Sequence, residues 1–113
     1  MTQQQQQCLR LLRDAAKRED DWCRVPERGM TALENYVIHR LEPGRFLFAV
    51  LTNDLLGAVS SADDTNLRLL PQWTRLVDNY VPSICWGSHD RVERWLSATA
   101  DTLPVYSLRE DDE

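Results

Sequence analysis

A chain of 113 residues suits one domain with a single core, and a formal charge of −5, from 13 bases against 18 acids, lacks the concentrated basic surface of a general nucleic-acid binder. Residues 102–113 carry one Arg and four acids, so −3 sits in the tail and only −2 is left for residues 1–101. No apolar run reaches the roughly 18 residues of a membrane span, the start lacks the layout of a signal peptide, and Cys8, Cys23 and Cys85 show no CxxC spacing. These features predict a cytoplasmic protein with reduced thiols and no metal or cofactor.

The chain opens on a glutamine-rich stretch, after which Leu9, Leu12, Ala16 and Trp22 recur near helical spacing. They predict a first helix from about Gln4 to Arg24. Its other face, with Arg10, Arg13, Asp14, Lys17, Arg18 and Asp21, mixes charges as a solvated surface does. Pro26 and Gly29 interrupt the chain. Thr31 and Glu34 have the spacing of a capping box, so a second helix is expected to start there, with Leu33, Tyr36, Val37 and Leu41 on its inner side.

Pro43 suits the first turn of a third, central helix over 43–60, PGRFLFAVLTNDLLGAVS. Wound at the helical period, Phe46, Leu47 and Val50 cover one side while Phe48, Leu56 and Val59 cover the other, so the helix has no solvent face and is expected to be buried. Ser61 or Asp63 can cap a fourth helix bearing Leu69, Leu70, Trp73, Leu76, Val77 and Tyr80, ending before Pro82. Pro71 inside it predicts a kink or a split. Gly87 permits a tight turn, and Ser88 can cap a last helix with Val92, Trp95 and Leu96. No stretch alternates as a strand does. The expectation is an all-α bundle of about five helices around a largely buried central helix: an N-terminal helix and linker over 1–30, a helical core over 31–100, and an acidic tail over 101–113.

The block Glu34-Asn35-Tyr36-Val37, Pro43-Gly44, Phe46-Leu47, Ala49-Val50-Leu51, Asn53-Asp54-Leu55, Ala62-Asp63, Asn66 and Cys85-Trp86-Gly87-Ser88 resembles a set of short phage and prophage proteins of unassigned function. The resemblance spans about residues 31–97. It implies a mobile-element origin and a compact helical core, and brings no established activity. Small phage proteins without an enzyme motif often act by binding, either to a host protein or to a signalling molecule, which is an analogy at family level.

Asn53 and Asp54, placed inside the apolar run, are the sharpest anomaly, because burying an unpaired carboxylate costs several kcal/mol. Either they cap or pair within the fold, or they line a ligand pocket or subunit interface. Asp63 and Asn66 lie three apart at a helix start, where capping explains them, and they can also join Asn53 and Asp54 in one polar cluster. Trp86 and Ser88 flank the Gly87 turn. They suit stacking on an aromatic ligand and binding of phosphate, or else a core indole and an ordinary cap. Arg40 and Arg45 bracket Pro43-Gly44 as candidate anion ligands or as surface charges.

Cys85 and His89 suggest a thiol nucleophile and its base, without a third group to orient the histidine. His39 has no metal-ligand spacing around it. A helix-turn-helix regulator is disfavoured, since Asp63, Asp64 and Asp78 oppose Arg68 and Arg75 on the fourth helix. The reading these residues favour is a non-enzymatic, phage-type counter-defence protein, a homo-oligomer that sequesters a nucleotide-type signal in pockets. Its alternative is direct inhibition of a host protein.

Overall fold

Prolines and short polar residues set the helix boundaries of this chain. The computed structural model describes residues 3–18 and 25–97, with seven α-helices, one 3-10 turn and no strand among them. The helices are α1 (Gln3–Arg18), α2 (Glu27–His39), α3 (Arg45–Leu51), α4 (Leu55–Ser61), α5 (Asp64–Arg68), α6 (Leu70–Tyr80) and α7 (His89–Ser97), with the 3-10 turn at Ser83–Cys85. The expected continuation of the first helix to Arg24, with Trp22 and Cys23, and the acidic tail lie outside the described residues.

The all-α class stands, but the count rises from about five to seven because two of the expected helices divide. One division is at Leu69, where α5 stops and α6 begins with Pro71 in its first turn. There the proline's missing N–H costs no hydrogen bond, so the ring starts a helix instead of kinking one.

The other division overturns the central helix. α3 ends in a Schellman turn: the Asn53 N–H donates to Val50 O at 3.1 Å and the Asp54 N–H to Ala49 O at 2.8 Å, with Asn53 in the left-handed region at φ 65°. Asparagine is among the few residues with a side chain that visits this region readily. Asp54 then caps α4, its carboxylate accepting from the Gly57 N–H at 2.9 Å. Leu47, Ala49 and Leu51 of α3 are buried, whereas Leu55 (64% exposed), Leu56 (79%) and Val59 (43%) of α4 stand in solvent.

The start of α2 also differs from expectation. Pro26 holds the extended conformation of an N-cap, its carbonyl accepts from the Met30 N–H at 3.0 Å, and Glu27 lies in the positive first turn. Thr31 is exposed mid-helix rather than a cap, and Glu34 pairs instead with Arg13 of α1 at 3.0 Å. Gly29 therefore lies within α2, where a Cβ would sit 2.6 Å from the Trp73 ring, so its lack of a side chain sets the approach to α6. Leu41, expected on the inner side of the second helix, is 54% exposed because the helix ends at His39.

α6 packs against α1, α3 and α5, and α3 also meets α7. The core between them holds Cys8, Leu12, Leu33, Tyr36, Val37, Leu51, Trp73, Val81, Cys85, Val92 and Trp95. Large aromatics can be fully buried here because their polar tips find acceptors. The Tyr36 hydroxyl donates to Cys85 O at 2.6 Å, and Trp95 Nε1 donates to Tyr36 O at 2.9 Å, so α7, α2 and the 3-10 turn are bonded in series.

Candidate functional site

The eight residues singled out as ligand candidates do not gather in one place. Asp63 and Asn66 come together with Arg45 in an open cleft of about 500 Å3 between the start of α2, the N-terminal end of α3 and the start of α5. Its walls also carry Arg28, Thr65, Phe46, Pro26, Pro43 and Gly44. Gly44 has φ 92°, a conformation that favours glycine, and it swings the chain so that Arg45 opens onto this cleft and onto a neighbouring one lined by Glu42, Pro43 and Phe48.

The polar groups of the cleft have defined states. Asp63 Oδ1 accepts from the Asn66 N–H at 2.8 Å as the cap of α5. The Asn66 side-chain oxygen accepts from Trp73 Nε1 at 3.0 Å, which orients the amide and leaves its NH2 group as a donor. Phe46, which lines the cleft, meets the buried Trp73 ring edge-on at a centroid distance of 6.1 Å. Arg28 and Arg45 are exposed, which leaves two guanidinium groups at the rim of a cleft with one carboxylate.

The other candidates go elsewhere. Asn53 and Trp86 share a smaller cleft of about 340 Å3 with Thr74, Arg75 and Asp78. Asn53 and Asp54 are exposed and serve as helix stop and helix cap, so no outside partner is needed to satisfy them. Trp86 Nε1 donates to Val81 O at 3.1 Å, and Ser88 Oγ accepts from the Arg91 N–H at 3.1 Å. Arg91 Nη1 closes the turn through Ser83 O at 3.0 Å. Arg40 lies away from Arg45, with its guanidinium stacked 4.3 Å over the Trp95 ring and its Nε buried without a hydrogen-bond partner among the described residues.

Cys85 and His89 sit in different environments. Cys85 is fully buried, and burial pushes its thiol well above the usual range; nearby Cys8 acts in the same direction, with Arg40 opposing. His89 is exposed, pairs with Glu93 at 3.7 Å and stands edge-on to Phe48. Among the described residues no cluster of His, Cys, Asp or Glu could hold a metal ion, and no helix is long and apolar enough to cross a membrane.

Sequence reasoning missed Arg28, because Pro26 and Gly29 read as a linker. The signal was present in Pro26-Glu27, a proline followed by an acid, which suits a helix start. No family model, curated protein or solved structure matches the chain.

Proposed function

We propose that this chain is a non-enzymatic binding protein that holds a small phosphorylated ligand of nucleotide type in the Arg28–Arg45–Asn66 cleft. The observation that carries the reading is a single cleft lined by two exposed arginines, the oriented Asn66 amide and the Phe46 ring. Its volume of about 500 Å3 falls in the range of small-ligand sites. Guanidinium groups bind phosphate through paired N–H donors, the Asn66 NH2 can read an acceptor on a base edge, and Asp63 can accept from a ribose hydroxyl.

A homo-oligomer would carry one such cleft per copy. Leaving catalysis out is supported by the full burial of Cys85, which raises its thiol pKa, and by the exposed position of His89. The setting of host counter-defence rests on the resemblance to phage proteins alone.

Calorimetry against a panel of cyclic and linear nucleotides tests the reading. Heat of binding is expected from at least one member and is expected to vanish in the Arg28→Ala, Arg45→Ala double variant. Silence across the panel with folded protein would discard it.

A further inference from the structure

The cleft and its smaller neighbour are two parts of one surface. The first, of about 500 Å3, and the second, of about 340 Å3, share Pro43, Gly44 and Arg45 and differ in what flanks that segment. Pro43 is buried, whereas Gly44 and Arg45 are exposed. Gly44 has a φ of 92°, which disfavours any other residue, and a Cβ placed there would meet nothing within 4 Å. The space above this backbone is therefore open, and Arg45 is a cation that both clefts have in common.

Each side of the shared segment carries one half-buried phenylalanine, Phe46 in the larger cleft and Phe48 in the smaller. They lie two positions apart on α3, so their side chains leave the helix about 200° apart and one planar ring does not reach both. His89 stands edge-on to Phe48 at 5.6 Å. The smaller cleft also has an exposed carboxylate, Glu42, which accepts hydrogen bonds.

A ligand that fills this whole surface has a negative charge near its middle and a flat ring at each end. A mononucleotide has one such ring and fills one cleft, since each cleft by itself has the volume of a small-ligand site. A peptide backbone carries no fixed negative charge. Two nucleosides joined through phosphate meet all of these requirements.

We infer that the ligand is a dinucleotide, with one base beside Phe46, the linking phosphate on Arg45 and the second base on Phe48 with its N–H groups toward Glu42. The inference rests on the larger cleft being a nucleotide site. It adds the second half of the ligand, and it makes Phe48 and Glu42 the residues that select for that half.

Calorimetry with the full chain compares adenosine and guanosine monophosphates with dinucleotides of the same bases in three forms: linear with one phosphodiester, cyclic, and joined by pyrophosphate. At least one dinucleotide is expected to bind one to one and at least tenfold more tightly than either monophosphate, and the form that does so identifies the linkage. In Phe48→Leu, which keeps an apolar side chain against the core but removes the ring, that margin should shrink to threefold or less. Glu42→Gln, at an exposed position, should weaken the dinucleotide at least threefold and supplies the readout if Phe48→Leu does not fold. Monophosphate binding as tight as that of every dinucleotide would overturn the inference while leaving the nucleotide reading intact, and so would a margin that both variants preserve. Absence of binding by every nucleotide, with folded protein, would remove the reading and the inference together.

Discussion

α3 and α4 come from one largely apolar stretch broken only at Thr52-Asn53-Asp54, yet one is core and the other is surface. Leu51 at the end of α3 is fully buried, and Leu56 five residues later is 79% exposed. Hydrophobicity does not distinguish them. The left-handed Asn53 does, because it redirects the chain and resets the angular phase, so that side chains counted around a continuous helix no longer share faces with those beyond the break. An apolar run therefore predicts burial only as far as its first interruption.

The largest expected difference between the two halves is in stability. Leu51→Ala should cost about 2–5 kcal/mol through lost transfer energy and the cavity left behind, while Leu56→Ala should stay within about 0.5 kcal/mol of the parent. Urea unfolding of both variants measures the contrast, and a similar loss in each would remove it.

A pH series sharpens the same division from the buried side. The turn that carries Cys85 is tied to the end of α3 through the Gly87 N–H and Leu51 O at 2.8 Å. Burial raises the folded thiol pKa, so the stability gained from keeping Cys85 neutral is fully present below the unfolded value of about 8.5 and is lost as pH rises toward the folded value. Tyr36, also raised by burial, adds to the decline at still higher pH. Chemical unfolding between pH 8 and pH 10 should therefore show falling stability for the parent and a shallower fall for Cys85→Ala; parallel slopes would contradict the burial of the thiol.

The smallest effect concerns the junction itself. Asp54→Ala removes the cap of α4 and should cost about 1 kcal/mol, whereas Asn53→Gly should change stability by only a few tenths, because glycine accepts the left-handed conformation without strain. Thermal unfolding of the pair checks the order.

Much of the framework was legible in the chain. The inner faces of α6 and α7, the division near Pro71, and the Gly87 turn with its Ser88 cap all follow from spacing and from residues whose backbone preferences are strong. Asn53 and Asp54 stand out in the sequence as an anomaly with two readings, and the structure takes the one in which they cap within the fold, while the burial expected of them does not occur. Asparagine as a helix stop and aspartate as a cap account for both without an outside partner. The capping box at Thr31 failed because Pro26 caps the helix five residues before Thr31. Of the cleft, Arg45, Asp63 and Asn66 could be picked out by residue type. Their meeting with Arg28 depends on how α2, α3 and α5 converge, which no local pattern encodes.

Trp73, Trp86 and Trp95 each donate an indole proton to a different acceptor: the Asn66 side chain beneath the cleft, the Val81 carbonyl before the 3-10 turn, and the Tyr36 carbonyl inside the core. Their indole resonances would therefore act as three separate gauges in a nuclear magnetic resonance spectrum. Occupancy of the cleft would move the first, rearrangement near the turn the second, and only opening of the core the third, so one labelled sample could tell ligand binding from loosening of the fold.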